Sequence, residues 1–169
     1  MKTLFVMRHA KSSWENPDSS DFARQLNEQG LRTLPQMGET IYRNQFQPAI
    51  ILSSPAKRAM QTAILIKETA QLEGKIKYDE RIYEASPFRL LQVIAELDET
   101  VESAMLVGHN PGLEGLIKTL IGEIQAMPTA ALAVIDLDTD NWSEITAESG
   151  KLRTLIRPKD DLKSQSSAN

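Results

Sequence analysis

The stretch LFVMRHAKSSW, residues 4–14, decides how the chain is read. Residues 4–7 are an apolar run, read with Thr3 as a strand over 3–7, that ends abruptly in Arg8, His9 and Lys11. A short continuous apolar run bounded by polar residues is the pattern of a strand buried on both faces. The pattern returns at residues 49–52 and 104–107, and each repeat leads into a helix start. Ser54-Pro55 follows the second run, Asn110-Pro111 the third, and Ser86-Pro87 opens a further helical stretch. A polar cap residue followed by proline signals a helix N-terminus. The cap side chain accepts an orphan backbone N–H, and proline lacks the N–H that would be unsatisfied there anyway.

The stretches after these starts carry helical periodicity. Leu90, Leu91, Ile94 and Leu97 share one face, as do Leu113, Leu116, Ile117, Leu120 and Ile121 before a stop at Gly122. Leu31, Leu34, Met37, Ile41 and Tyr42 predict another helix, with Pro35 inside it implying a late start or a kink. Residues 131–137 and 152–156 read as strands, and WSEIT from Trp142 as a third. Strands alternating with helices predict an α/β domain over residues 1–158 with a mostly parallel sheet and antiparallel strands added late. The polar tail 159–169 is expected to fray. In such sheets ligands bind beyond the carboxyl ends of the strands, where the first run leaves Arg8 and His9.

Composition narrows the function classes. The 169 residues include 41% hydrophobic and 25% charged side chains with a formal net charge of -4, so nothing calls for nucleic acid or an anionic membrane as partner. There is no cysteine, which excludes disulfides, thiolate metal sites and cysteine nucleophiles. The N-terminal apolar stretch is too short for a signal peptide and no later one reaches membrane-spanning length, so a cytoplasmic location is the simplest expectation.

Both histidines of the chain fall at strand ends. His9 follows the first run and His109 the third, Arg8 precedes His9, and Arg58 lies in the first turn after Ser54-Pro55. Taken singly, each residue has an ordinary explanation: a packed pair, an exposed helix arginine, a turn. Their joint placement points to anion binding followed by phosphoryl transfer. Helix N-termini and guanidinium forks hold phosphate oxygens, an imidazole among them attacks phosphorus, and a second imidazole, if protonated, stabilises the transferring group. The scheme needs no metal or cofactor, and the surrounding positive charge opposes a divalent cation.

RHAKSSW (8–14), SSPAKRAMQTA (53–63) and LVGHNPG (106–112) resemble, in order and spacing, the three signature segments of the histidine phosphatase superfamily. The resemblance implies the phosphoglycerate mutase-like fold, a three-layer sandwich with a mostly parallel central sheet and helices on both faces. RHAKSSW and DFARQLNEQG (21–30) further resemble the small phosphohistidine phosphatases of the SixA type. That resemblance implies His9 as the phosphorylated nucleophile, with Arg8, Arg58 and His109 holding the phosphoryl group and Arg24 approaching it. A phosphorylated histidine-containing protein is then the expected substrate and phosphate the product.

Mutases and many other members of the superfamily protonate an alkoxide leaving group with an acidic residue, for which Glu84 in RIYEASP is the nearest match. Phosphohistidine chemistry needs such help less, because imidazole leaves phosphorus more readily than an alkoxide. Glu84 is therefore open to two readings, a general acid for a small-molecule phosphomonoesterase or mutase, or a solvated carboxylate ahead of a helix. A non-catalytic phosphate-binding module is the third reading, disfavoured by the full Arg-His-Arg-His set. DLDTDN (136–141) mimics a calcium loop without its glycine and terminal glutamate, and reads as a strand ending in a polar turn. Lys11, Ser12 and Trp14 are expected at the mouth of the site.

Overall fold

The computed structural model describes residues 1–14 and 16–158; the tail expected to fray lies outside the described residues. A six-stranded sheet is built from β1 (Lys2–Arg8), β2 (Ile50–Ser53), β3 (Lys75–Tyr78), β4 (Ser103–Gly108), β5 (Leu132–Leu137) and β6 (Gly150–Ile156) in the order β3-β2-β4-β1-β5-β6. Strands β3, β2, β4 and β1 run parallel, and β5 is antiparallel to both of its neighbours. The central β1 pairs with β4 from Thr3 opposite Ser103 to Arg8 opposite Gly108, which brings the two histidine-bearing strand ends side by side.

Alternation along β1 feeds two cores. Leu4 and Val6 join Leu106, Ile135 and the helices α3 (Pro87–Ala95) and α4 (Gly112–Ile121) on one face. Phe5 and Met7 join Met105, Val134 and the helices α1 (Glu28–Arg43) and α2 (Lys57–Thr69) on the other. Successive side chains of a strand point to opposite faces, so a run that is apolar at every position specifies a sheet covered on both sides. This is the expected three-layer α/β sandwich.

Several local expectations need correction. Ser86 caps α3 as predicted, accepting the Arg89 N–H, with Pro87 as the first helical residue. Ser54 and Asn110 do not cap their helices. Helix α2 begins at Lys57, whose N–H is satisfied by the Phe22 carbonyl at 2.9 Å, and α4 begins at Gly112 with Pro111 at its N-cap after a cis Asn110–Pro111 bond. Ser54 Oγ instead accepts the Ala56 N–H at 3.2 Å and meets His109, and Asn110 turns to Glu114 and the Met127 carbonyl. Pro35 neither delays nor breaks α1, which starts at Glu28 on an Asn27 cap. Pro35 and Leu31 are both exposed, so the carbonyl four residues before the proline loses its donor on the side facing water. The buried stripe of α1 is Leu34, Met37 and Ile41 with the small residues Gly30, Thr33 and Gly38, while Leu31 and Tyr42 lie outside. Gly38 is required where α1 meets α2, since a Cβ there would come 1.9 Å from Thr69 Oγ1.

Two elements read differently from their sequence. The residues from Trp142 form a 3₁₀ turn (Trp142–Glu144), because the fully buried indole donates to the Val101 carbonyl at 2.7 Å and pins the chain out of a ladder. Strand β3 carries no apolar run: Lys75, Lys77 and Tyr78 are exposed at the sheet edge. An edge strand paired on one side needs little burial and is protected by charge. Asp136, in the DLDTDN segment, accepts hydrogen bonds from Thr3 and Arg153, which makes it a sheet residue. No helix among the described residues is long and apolar enough to cross a membrane.

Candidate active site

A cleft of about 710 Å³ opens at the carboxyl end of the sheet. Arg8, His9, Arg24, Arg58, Glu84 and His109 all line it, as do Lys11, Ser12 and Trp14. All six residues singled out from the sequence therefore converge.

His9 is fixed by its backbone before its side chain is considered. Its N–H donates to the Gly108 carbonyl at 3.1 Å and its carbonyl accepts from Ala130 N–H at 3.0 Å, so it is clamped between the ends of β4 and β5. The next residue is held from α2, where the Thr62 hydroxyl accepts the Ala10 N–H at 3.0 Å and donates to the Arg58 carbonyl at 2.8 Å. The His9 ring is 6% exposed, and its Nδ1 lies 2.7 Å from the Ala10 carbonyl. A carbonyl only accepts, so Nδ1 carries the proton and the lone pair of the neutral ring is on Nε2. Burial holds the ring pKa down to about 3 against the opposing pull of that carbonyl, with His109, Arg58 and Arg8 adding repulsion. His9 is a neutral imidazole throughout the ordinary pH range.

The His109 ring lies 5.1 Å from that of His9, centroid to centroid. Its Nε2 is 2.8 Å from Ser54 Oγ, and its Nδ1 is buried with no hydrogen-bond partner among the described residues. Burial and the nearby Arg58 lower its pKa to about 4, offset in part by Asp21. In the absence of an anion His109 is neutral at pH 7, and a bound dianion shifts it toward the protonated form.

The loop that precedes α1 covers Arg58 and holds Arg24 half-buried beside it. Arg58, which taken singly reads as an exposed helix residue, is 5% exposed; its Nη1 donates to the Asp21 carbonyl at 2.6 Å and its Nε has no partner among the described residues. The loop between β1 and α1 is closed on itself by Ser13 N–H to the Gln25 carbonyl at 2.9 Å and Asn27 N–H to the Lys11 carbonyl at 3.0 Å. This closure sets Arg24 Nη1 2.9 Å from Ser12 Oγ and its guanidinium 3.4 Å above the Trp14 ring, a cation–π stack. Arg8 Nη1 donates to the Met127 carbonyl at 3.2 Å. The Met127 backbone is in turn held through its N–H by Glu114 at 2.8 Å, and its carbonyl also accepts from Asn110 at 2.9 Å.

Two residues lining the cleft, Asp21 and Tyr83, and the fully buried Ser54 escaped sequence reasoning. Asp21 links Arg24, Arg58 and Tyr83. Tyr83 stands edge-on to His109 at 5.6 Å and to Phe22 at 5.1 Å, and burial with the Asp21 hydrogen bond pushes its hydroxyl up to about 12. Ser54, read as a helix cap, is the partner of His109. The sequence signal for Asp21 was its position three residues before Arg24, a spacing that pairs opposite charges within one turn. Glu84 is exposed on the rim with left-handed backbone (φ 53°), a conformation uncommon for residues other than glycine and found often at functional sites.

The sequence matches the model of the histidine phosphatase superfamily (branch 1) over residues 4–87. The chain belongs to that superfamily, and is a phosphatase of the histidine-nucleophile class. It is similar to a candidate phosphohistidine phosphatase SixA from Agrobacterium tumefaciens, at 30% identity and a TM-score of 0.81 over 93% of this chain and 98% of that one. It also shares the fold of a protein histidine phosphatase SixA complexed with tungstate, at 22% identity and a TM-score of 0.80 over 94% of this chain and 98% of that one. An uncharacterised protein of Mycobacterium leprae is 29% identical over 168 residues, spanning 90% of this chain and all of the relative.

Proposed function

We propose that the protein hydrolyses phosphohistidine on a protein substrate, in the cytoplasm and as one catalytic domain over residues 1–158, through a covalent phosphoryl intermediate on His9. The observation that carries this reading is the His9 ring. Its Nδ1 is committed to the Ala10 carbonyl, and the Nε2 lone pair is left in a cleft walled by Arg8, Arg24, Arg58 and His109. The likeness to the Agrobacterium tumefaciens relative supports the choice of substrate class.

In the first step the Nε2–P bond forms as the substrate's N–P bond breaks, and the departing imidazole takes the bonding electron pair, leaving as a neutral ring when its other nitrogen is protonated. The His9 ring then carries phosphate on Nε2 and its proton on Nδ1, a cation that the Ala10 carbonyl stabilises. In the second step water attacks phosphorus, His9 Nε2 leaves with its lone pair, and inorganic phosphate and a proton are released. Arg8, Arg24 and Arg58 neutralise the equatorial oxygens, and His109 Nδ1 is the remaining donor once the anion has raised its pKa. The group transferred is charged at every stage, so most of the catalysis is positioning and electrostatics.

One observation favours a second reading. Glu84 stands on the cleft rim in a left-handed conformation, where a carboxylic acid serves an alkoxide leaving group of a phosphomonoester. A single set of experiments separates the two. Brief exposure to a labelled phosphodonor followed by quenching and mapping is expected to place an acid-labile phosphate on His9; turnover with no label there removes the mechanism. Glu84→Gln is expected to leave phosphohistidine hydrolysis nearly unchanged. A collapse of that activity favours the phosphomonoester reading instead.

A further inference from the structure

An anion stands among the groups proposed to bind the phosphoryl group. Asp21 Oδ1 accepts from Arg24 Nε at 3.1 Å and pairs with Arg24 Nη2 at 3.1 Å. Its Oδ2 accepts from Arg58 Nη2 at 3.1 Å and from the Tyr83 hydroxyl at 2.5 Å. Three hydrogen bonds and one ion-pair contact bring four donor groups onto its two oxygens. Three of those donors are guanidinium nitrogens of the kind an incoming phosphoryl group would engage.

Positioning the arginines does not account for this carboxylate. Arg58 is also held by the backbone carbonyl of residue 21, a contact that survives any substitution there. Arg24 is also held by Ser12 Oγ and the Trp14 ring. What the Asp21 side chain adds is negative charge, and that charge persists at working pH because Tyr83 and the arginines hold its carboxyl down to about 2.

Resting on the phosphoryl-site reading above, we propose that Asp21 is a resident anion of the Arg24–Arg58 pair and a specificity-determining residue. A phosphoryl group must displace it from the guanidinium groups to bind. Free phosphate and simple phosphate dianions then bind weakly, and the site favours substrates that make contacts outside the phosphoryl group. Exposed rings for such contacts lie beside it, Phe22 next in sequence and Trp14 under Arg24. After hydrolysis the exchange runs in reverse, and Asp21 reclaims the arginines as phosphate departs.

The test is calorimetric titration of inorganic phosphate into the wild type, Asp21→Asn, Asp21→Ala, Tyr83→Phe and Arg58→Ala proteins, each checked for folding by its melting transition. Both Asp21 variants are expected to bind phosphate on the order of tenfold tighter, with phosphate becoming a correspondingly stronger inhibitor of turnover. Tyr83→Phe keeps the ring but removes the donor that competes with the arginines for Oδ2, and is expected to weaken phosphate binding severalfold. That variant keeps the proposal testable if the Asp21 variants do not fold. Equal or weaker phosphate binding by folded Asp21 variants, or unchanged or tighter binding by Tyr83→Phe, overturns the resident-anion role, while loss of binding in Arg58→Ala upholds the phosphoryl-site reading. Phosphate binding that survives unchanged in Arg58→Ala overturns the site reading, and the resident anion with it.

Discussion

Acidification from pH 7 to pH 5 is expected to destabilise the fold through two named residues. His9 and His109 are the only histidines, and there is no cysteine, so no other side chain with an ordinary pKa titrates between those values. Both are held low in the folded state, to about 3 and about 4, mainly by burial. In that window the unfolded chain binds a proton on each histidine and the folded chain binds none, so stability rises with pH and falls on acidification. With an unfolded pKa of about 6.5, each histidine withdraws about 2 kcal/mol between pH 7 and pH 5, and the pair about 4 kcal/mol. Against a typical domain stability of about 5–15 kcal/mol this is a large loss. Urea unfolding followed by circular dichroism at half-unit pH steps measures it directly. Replacing His109 by Asn is expected to halve the loss, and the same change at His9 to act alike. A stability that stays flat from pH 7 to pH 5, or a slope indifferent to both substitutions, would refute the claim that these rings are buried in neutral form.

Four further outcomes follow from the packing of the site. Arg58→Ala is expected to lower kcat/KM for a phosphohistidine substrate by about 100-fold or more, the cost of removing a charged donor to the transition state, in steady-state assays. Ser54→Ala removes the partner of His109 Nε2 and the acceptor of the buried Ala56 N–H, and is expected to reduce kcat about tenfold and to cost about 1–3 kcal/mol in denaturation. Glu114→Gln weakens the bonds that hold Met127 and Asn110, and through the Met127 carbonyl the Arg8 guanidinium; KM is expected to rise in kinetics at varied substrate. Gly30→Ala places a Cβ 2.3 Å from the Lys11 carbonyl, and is expected to cost about 1–3 kcal/mol in chemical denaturation by pushing the Arg24 loop away from α1.

Three of the four parallel strands were legible because they are buried on both faces, which demands nearly continuous apolar residues: residues 3–7, 49–52 and 104–107 needed no more than that. Strand β3 was not, since Lys75 and Lys77 have only an edge to fill. Trp142 misled for the opposite reason, as an apolar residue whose burial comes from a single indole donating across to Val101. At the site, Arg8, His9, Arg58 and His109 stood out because rare or charged residues ended apolar runs or opened helices. Ser54 and Asn110 were read as helix caps because the same polar side chains serve either a helix end or a neighbouring ring, and local sequence does not distinguish the two. Asp21 lies on a loop with no periodicity; its spacing to Arg24 is local, but its contact with Arg58, 37 residues further along, emerges only when the loop closes.

The position of β1 has a consequence for how the protein comes into being. Its two sheet neighbours are β4 (Ser103–Gly108) and β5 (Leu132–Leu137), both of which enter the chain long after it. As the chain is synthesised, the apolar N-terminal strand waits without a partner while α1, β2, α2 and β3 are made, and its edges are open to mispairing for that time. The two histidines come together only when β4 slots between β2 and β1. No N-terminal fragment ending before that strand can bring His9 and His109 together, so the active site itself reports that β4 has taken its place in the sheet.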